Sequence, residues 1–263
     1  MNGPGTGEAP TVLIERQGEI AVVTLNRPGR RNGVTVEMCG AIYDAVREVA
    51  ASDARVAILR GAGTDFCVGA DIGGGANPGS EPTAPPTLES LGLIHHAATL
   101  LHTMPQVTIA AIDGGCAGAG MGYATACDFR FATPEARFST AFLNVGVSGD
   151  MALAWSLNRI VGGARARELL FFPEKLDGAA ALALGIATRL FPRETLHEET
   201  LTLARQLCAR DPFALRMMKA NVLSAEQLQI GEFVDIETAR NVHCANRPDF
   251  GARMAESWRR FRG

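Results

Sequence analysis

Short runs of β-branched residues alternate with glycine-rich turns along the first half of the chain. Residues 12–14 and 20–25 are two such runs, and the turn-forming residues 17–19 between them predict a β-hairpin. From Val36 to Ala50 the apolar residues recur at steps of three and four, with charged residues between them. This spacing predicts an amphipathic helix directly after the hairpin.

A unit of strand, glycine loop and helix is expected twice. The apolar run of residues 54–59 predicts a buried strand that leads into a glycine-rich loop over residues 61–75. Residues 107–112 form a second apolar run, and the glycine-rich segment 114–120 follows it before a helix of small residues that ends near Asp128. Two buried strands followed by similar loops indicate an α/β core.

Helices are expected to dominate the second half of the chain. Asp211 followed by Pro212 is typical of a helix start, since the carboxylate caps the first turn and proline fits its first position. Helices are predicted at residues 150–161, 164–171, 195–209, 225–244 and 248–261. The last helices carry large apolar residues among polar ones, which favours packing against another subunit: Phe213, Met217, Met218, Phe233 and Trp258.

These patterns divide the chain into three parts. Residues 1–10 are expected to be a flexible tail, 11–195 the α/β core and 196–263 a helical oligomerisation region. Within the core, residues 73–87 hold four glycines and four prolines, which predicts a mobile loop able to gate a site.

The composition excludes several classes of protein. The 263 residues are 47% hydrophobic and 20% charged, a balance typical of a globular domain rather than a disordered chain. A net charge of −3 gives no positive field for nucleic acid or an anionic membrane surface. Six cysteines are scattered without a C-x-x-C pair, which argues against zinc and disulfides. We therefore expect a cytoplasmic protein with no nucleic-acid, membrane or metal partner.

Both glycine loops could bind a negatively charged ligand oxygen. Backbone N–H groups exposed where a strand turns into a helix stabilise such charge, and small residues let a substrate approach them. The candidate segments are residues 69–71 and 118–120, which together would form an oxyanion hole. The alternative is that these glycines only make tight turns.

A nucleophile elbow is a rival interpretation of the second loop. Residues 114–118 fit the pattern G-x-C-x-G, with Cys116 as the nucleophile of an α/β-hydrolase. Acid and base partners follow in the order that those hydrolases use, either Asp150 or Asp177 and either His197 or His243. Against this interpretation, the surroundings of Cys116 in the sequence are small and apolar, and no nearby cation would lower its thiol pKa.

Read together, several segments resemble one family along nearly the whole chain. In order and spacing they are similar to the crotonase superfamily, the enoyl-CoA hydratase/isomerase family. The segments that carry the resemblance are residues 23–28 with Asn32, 66–72, 109–114, 118–120 leading to Cys127-Asp128, 146–150 and 162–169.

The resemblance implies a fold, a substrate and a binding site. The fold would be an α/β spiral of strand-strand-helix units with a C-terminal helical trimerisation region, assembled as a homotrimer or a dimer of trimers. The substrate would be an acyl-CoA thioester, with coenzyme A as part of the substrate and no prosthetic group. Its carbonyl would be held by the N–H groups of Ala70 and Ala119. Coenzyme A would contact the backbone around these two positions and the side chain of one of two arginines. The residues of this predicted site are Arg30, Arg31, Ala70, Asp71, Ile72, Gly73, Ala119 and Gly120.

The two glutamates that hydratases of this family use are replaced here. The first stands six residues before the Cys-Asp pair, where this chain has Gly122, and the second is replaced by Phe142. Hydration needs one group to activate water and one to protonate the α-carbon, and neither replacement can move a proton. Hydration by the usual route is therefore not expected.

Asp150 is the remaining candidate base, because it matches an aspartate of dienoyl-CoA isomerase-like and dehalogenase-like branches. One carboxylate can take a proton from one carbon and return it to another, so we predict double-bond isomerisation, with burial raising the Asp150 pKa. The alternative structural role for Asp150, shared with Ser148, is to cap the following helix.

Other functions stay open. His95 or His96 beside an aspartate nucleophile would favour hydrolysis or dehalogenation of the acyl-CoA through Asp150. With both glutamates replaced, the protein would alternatively bind acyl-CoA without turning it over.

Overall fold

The computed structural model describes residues 9–71 and 87–261. Most of the expected tail and of the loop at 73–87, together with Ile72 and Gly73, lies outside the described residues. The chain divides into two compact units, one up to Gln206 and one from Leu207.

The first unit is built on two sheets. The main sheet has the strand order β1-β2-β3-β4-β6-β9, in which β1 and β2 are antiparallel and the other neighbours are parallel. A smaller sheet has the order β5-β7-β8. The strands are β1 Val12–Gln17, β2 Ile20–Leu25, β3 Val56–Gly61, β4 Val107–Ile112, β5 Gly115–Ala117, β6 Phe129–Ala132, β7 Arg137–Ser139, β8 Leu176–Asp177 and β9 Arg189–Leu190.

Helices cover the sheets and form the C-terminal part of the chain. The α-helices are α1 Val36–Ala50, α2 Leu88–Leu91, α3 Ala97–Thr103, α4 Ala119–Ala126, α5 Leu153–Ile160, α6 Gly162–Phe171, α7 Gly178–Ala183, α8 Leu196–Cys208, α9 Pro212–Ala225, α10 Ile230–Ala245 and α11 Phe250–Phe261. None of the helices within 9–71 and 87–261 is long and apolar enough to cross a membrane.

The predicted hairpin and first helix are confirmed. β1 and β2 pair from Val12 with Leu25 to Gln17 with Ile20, and every residue of β2 is buried. Helix α1 begins where Thr35 accepts a hydrogen bond from the N–H of Met38, 3.2 Å away. Its buried residues are those of the predicted apolar face together with Cys39.

Parallel pairing places both glycine loops at one edge of the main sheet. Strands β3 and β4 run in the same direction, with Arg60 opposite Ala111. The loop that leads to Ala70 leaves β3, and the loop that leads to Ala119 leaves β4. The carboxyl ends of parallel strands are where α/β proteins bind ligands.

The helix predicted at 150–161 begins later than expected. Gly149, Met151 and Ala152 have positive φ angles of 111°, 48° and 57°, so the chain turns before it enters α5 at Leu153. Ala152 is the residue at the helix cap, and no side chain caps this helix. The alternative role of Asp150 as a capping residue is therefore wrong.

Two other boundaries were also predicted wrongly. The helix expected from 225 to 244 begins only at Ile230, because α9 continues to Ala225 and ends in a turn where the N–H groups of Gln227 and Leu228 both donate to the carbonyl of Ser224. The glycine segment 114–120 contains a strand, β5, whose partner β7 lies more than twenty residues later in the sequence. Local sequence patterns do not report such distant pairing.

The second unit consists of α9, α10 and α11. Asp211 caps α9 by accepting a hydrogen bond from the N–H of Ala214, as predicted. The same carboxylate pairs with Arg247 at 2.7 Å and with Arg253 at 2.8 Å. Large apolar side chains of this unit are exposed, namely Met218, Val222, Ile230, Val234, Ile236, Val242, Phe250, Met254 and Trp258.

Candidate active site

The two glycine loops lie directly against each other. Cys67 and Cys116 form a parallel β-bridge, and the N–H of Ala117 donates to the carbonyl of Cys67 at 2.9 Å. Gly69 has a φ angle of +92°, and a Cβ there would lie 3.0 Å from the Ala117 carbonyl oxygen and 3.6 Å from Cα of Gly118. Only glycine allows this conformation and this approach.

In the first loop, the N–H group of Ala70 is left without a partner. Its neighbours are used: Gly69 donates to the sulfur of Cys67, and Asp71 donates to the Val34 carbonyl at 2.9 Å. Among the described residues Ala70 has no acceptor for its N–H group, and the residue is exposed. The N–H is therefore available to a ligand.

The second loop presents an equivalent group. The N–H of Gly118 donates to the Ser139 carbonyl at 3.1 Å, and the helical pattern starts when Gly122 donates to the Gly118 carbonyl. Ala119 is the first residue of α4, and its N–H meets no acceptor within 9–71 and 87–261. Helix α4 also directs the positive end of its dipole at this point. Two N–H groups on touching loops can stabilise charge on one oxygen.

Gly120 is needed for packing at the same place. A Cβ at this position would clash with the carbonyl oxygen of Cys67 and lie 2.7 Å from the Cys67 Cβ. Only a glycine at this position lets α4 approach the first loop closely enough for the two loops to meet.

Asp150 carries a carboxylate without a partner. The residue is exposed, and within the described parts of the chain its carboxylate makes no hydrogen bond or ion pair. Desolvation by the surrounding protein raises the pKa of the Asp150 carboxyl above its usual value. A carboxylate that is not neutralised by a cation and has a raised pKa is suited to accept and return a proton.

Buried thiol and phenol groups lie within the field of Asp150. Burial raises the pKa of the Cys67 thiol to about 12, and the Asp150 charge acts in the same direction. Burial and then the charge of Asp150 raise the pKa of Cys39, and the pKa of Tyr123 is raised chiefly by burial. These three groups stay protonated at neutral pH, so Asp150 is the candidate proton acceptor among the four.

The raised pKa predicts a pH-dependent effect on stability. The folded state favours the protonated carboxyl, so the cost of ionised Asp150 builds up as the pH rises from the unfolded pKa and is complete above the folded pKa. We expect Asp150→Asn to be more stable than the parent chain at pH 7, with a difference that disappears as the pH falls to about 4. Urea unfolding at both pH values measures this, and a less stable variant at pH 7 would contradict it.

Met151 occupies the space of the first missing glutamate. A Cβ at Gly122 would lie 2.5 Å from Cβ of Met151 and 3.0 Å from its carbonyl oxygen. The segment that carries Asp150 is therefore packed directly against α4 at Gly122, the position that the resemblance assigns to the first hydratase glutamate.

Phe142 fills the position of the second glutamate with an aromatic ring. A Cβ at Gly118 would be 3.7 Å from this ring, and a Cβ at Gly149 would be 3.4 Å from it. The ring therefore lies between the residue before Ala119 and the residue before Asp150. An apolar ring at this position cannot itself activate water.

The residues predicted to contact coenzyme A include two arginines of the segment after β2, which lies against the first loop. Arg30 pairs with Asp71 at 2.6 Å, and Arg27 reaches the other oxygen of Asp71 at 3.0 Å. Two guanidinium groups thus share one carboxylate, which leaves a positive charge beside Ala70. Arg31 is 65% exposed and pairs with Asp65 at 2.9 Å. Within 9–71 and 87–261, no group of three or more metal-ligating side chains is found.

The nucleophile-elbow hypothesis is wrong. Cys116 lies inside β5 with no exposed surface, and burial raises the pKa of its thiol well above the usual value. Asp177 caps α7 through the N–H of Ala180, and the ring of His243 packs on Phe213. A buried neutral thiol does not attack an ester.

The histidine pair does not form a catalytic dyad with Asp150. His95 and His96 contact each other, with ring centroids 4.3 Å apart. In the described part of the chain neither ring bonds to Asp150, and Nδ1 of His95 is buried without a partner.

Comparisons with known proteins identify the family of this chain. The family model described as enoyl-CoA hydratase/isomerase matches residues 15–256. The chain belongs to the enoyl-CoA hydratase/isomerase family. Among curated members, it is 31% identical to 1,2-epoxyphenylacetyl-CoA isomerase of Escherichia coli over 86% of this chain and 87% of that protein. It is 26% identical to the human mitochondrial Delta(3,5)-Delta(2,4)-dienoyl-CoA isomerase over 94% of this chain and 80% of that protein.

Solved structures of the family confirm the fold. A putative enoyl-CoA hydratase from Streptomyces coelicolor superposes with a TM-score of 0.85 at 29% identity, over 98% of this chain and 97% of that chain. The expected crotonase architecture, an α/β core with a helical C-terminal region, is confirmed, whereas the trimer stays a prediction. Enoyl-CoA hydratase/isomerase family members act on coenzyme A thioesters without a prosthetic group.

Sequence reasoning missed one polar residue of this site. Asp65 precedes the buried pair Phe66-Cys67, and its carboxylate contacts both Arg31 and the N–H of Gly115. An acidic residue directly before a buried segment within a glycine loop was the signal available in the sequence.

Proposed function

We propose that this member of the enoyl-CoA hydratase/isomerase family is an acyl-CoA isomerase that moves a double bond through an enolate, with Asp150 as acid and base. The observation that carries the proposal is the unpaired Asp150 carboxylate with its raised pKa, in a site where both hydratase glutamates are replaced. Two curated relatives with isomerase names add support.

The thioester oxygen binds between the N–H groups of Ala70 and Ala119. Negative charge develops on this oxygen when a proton leaves the acyl chain, and each hydrogen-bond donor in such a hole is worth about 3 kcal/mol in the transition state. Asp150 takes the proton from one carbon and returns it to another. The enolate is neutralised without a second acid, so the absence of both glutamates does not interrupt the reaction.

Hydration is disfavoured by the side chains at the glutamate positions. Addition of water needs a base beside the β-carbon, and the ring of Phe142 lies where that base would stand. Gly122 has no side chain, and Met151 fills the adjacent space. Neither of these two positions therefore supplies a group that activates water.

Coenzyme A enters as part of the substrate. Arg30 and Arg31 are exposed and pair with Asp71 and Asp65 of the first loop. Exposed guanidinium groups beside the loop are suited to contact phosphate groups. Asp71 holds Arg27 and Arg30 together, so these arginines present their free N–H groups from a fixed position.

We also propose that the chain assembles through its second unit, as a homotrimer or a dimer of trimers. Trp258, Met254 and Ile230 are exposed by 59%, 48% and 86%. Burial of such side chains against a second copy removes apolar surface from water.

Solvent deuterium exchange tests the proposed reaction. The protein is incubated in deuterated water with coenzyme A thioesters of saturated, 2-enoyl, 3-enoyl and dienoyl chains, and mass spectrometry follows isotope uptake and double-bond position. We expect double-bond migration with little hydroxyacyl product. Tight binding of every thioester without exchange would replace the proposal by a non-catalytic acyl-CoA binder, and a hydroxyacyl product would replace it by hydration.

A further inference from the structure

Asp65 joins three segments of the site through one carboxylate. Nε and Nη2 of Arg31 each donate to a separate oxygen of Asp65 at 2.9 Å. The N–H of Gly115 donates to Oδ1 of the same carboxylate at 2.7 Å. Arg31 belongs to the segment after β2, Asp65 to the loop after β3 and Gly115 to the start of β5.

The carboxylate is enclosed and ionised. The side chain of Asp65 is only 10% exposed, and the hydrogen bonds from Arg31 are the largest cause of its lowered pKa. A charged, forked ion pair has a fixed geometry, unlike a single hydrogen bond between neutral groups. The contact is therefore suited to hold loops in place.

No side chain can stand between the two loops at this point. A Cβ at Gly115 would lie 2.8 Å from Oδ1 of Asp65 and 3.2 Å from Nη2 of Arg31. Asn32 adds a second connection, because its Nδ2 donates to the backbone carbonyl of Asp65 at 2.7 Å. Arg31 and Asn32 both have positive φ angles, 52° and 54°, which non-glycine residues adopt only where their surroundings hold them.

The contact lies close to both free N–H groups in the sequence. Ala70 follows Asp65 by five residues, and Ala119 follows Gly115 by four. Between these ends the loops touch again at the Cys67–Cys116 bridge and at Gly69. The contacts of Asp65, together with the bridge and Gly69, thus set the relative position of the two N–H groups.

We propose that Asp65 is a positioning residue that fixes the distance between the N–H groups of Ala70 and Ala119, and this rests on the proposed function. Donors in an oxyanion hole must lie about 2.7–3.1 Å from the developing negative oxygen. A displacement of about 1 Å can cost a hundredfold in rate. Asp65 touches no substrate and acts through the loops.

A chromophoric thioester measures this geometry directly. Cinnamoyl-CoA has an absorption band that moves to longer wavelength when hydrogen bonds polarise its carbonyl. We expect bound cinnamoyl-CoA to show this shift with the parent chain and to lose most of it with Asp65→Asn. For exchange at the acyl carbons, kcat should fall about tenfold or more while KM changes by less than about twofold.

Asp113→Asn is the matched control. Asp113 also binds an arginine fork, from Arg193, and the N–H of a glycine, Gly114, at 2.8 Å. Its further partner is Thr133 at 2.9 Å, so its side chain does not reach the first loop. This variant should lose thermal stability to a similar extent and keep the spectral shift and kcat.

Each outcome decides the proposal. Loss of the shift in Asp65→Asn and its retention in Asp113→Asn supports the positioning role. Equal shifts in all three proteins, or an equal loss in both variants, overturns that role and leaves the proposed function intact. Bound cinnamoyl-CoA without a shift in the parent chain overturns both. If Asp65→Asn does not fold, Asp65→Glu keeps the charge while lengthening the side chain, and the same loss of shift is expected.

Discussion

Replacing Asp150 by asparagine is expected to lower proton exchange and double-bond migration by about 10²–10⁴-fold, the range that a positioned acid-base group contributes. Asparagine keeps the shape of the side chain and cannot accept the proton. The carboxylate has no hydrogen bond or ion pair among the described residues, so its loss breaks no structural contact. Deuterium uptake into the acyl chain, measured at saturating thioester, gives the effect.

Binding separates a lost base from a lost site. Asp150→Asn should still be stabilised by coenzyme A thioesters in thermal unfolding, because ligand binding to the folded state raises its stability. Ser148→Ala on the same exposed segment is the matched control and should exchange protons at the parent rate. Full exchange activity in Asp150→Asn would remove this residue from the reaction.

Restoring the first hydratase glutamate by Gly122→Glu should fail to produce a hydratase and should destabilise the fold by about 3 kcal/mol or more. The new Cβ alone would lie 2.5 Å from Cβ of Met151, and the carboxylate would enter a helix whose residues are all buried. Met151 would have to move, and Asp150 would move with it. Urea unfolding and assays of hydration and of exchange measure the three consequences.

Alanine variants isolate the steric part of this effect. Gly122→Ala adds only the clashing Cβ and should lower the free energy of unfolding by about 1–3 kcal/mol. It should also lower the exchange activity. Gly40→Ala in α1 is the control, because its Cβ would meet no atom closer than 3.8 Å. It should leave stability equal or raise it by up to about 1 kcal/mol, since alanine favours helix. Hydration by Gly122→Glu at a family-typical rate would contradict the argument from Met151.

Features with a local period were predictable from the sequence. The apolar steps of Val36 to Ala50 define α1 to the residue, because one face of a helix records its own burial. The glycine loops were recognisable since Gly69 and Gly118 meet a steric demand that only glycine satisfies. The family resemblance indicated Asp150 as the candidate base, and its part in the reaction stays a prediction.

Features that depend on distant partners were not predictable. Strand β5 exists because Cys116 pairs with Phe138 and bridges to Cys67, and no local pattern encodes either contact. The late start of α5 depends on the positive φ of Met151 and Ala152, residues that normally favour helix. The pairing of Arg31 with Asp65, rather than with a ligand alone, likewise needs the folded loops.

The position of Asp150 has a stereochemical consequence. In the proposed reaction the carboxylate approaches the acyl chain from the segment between Phe142 and α5, and neither Gly122 nor Phe142 supplies a second acid from another direction. A proton that Asp150 removes therefore returns to the same face of the planar enolate, which makes the overall migration suprafacial. A thioester that carries deuterium stereospecifically at its α-carbon would lose the label when the deuterium lies on the face of Asp150. It would keep the label when the deuterium lies on the opposite face.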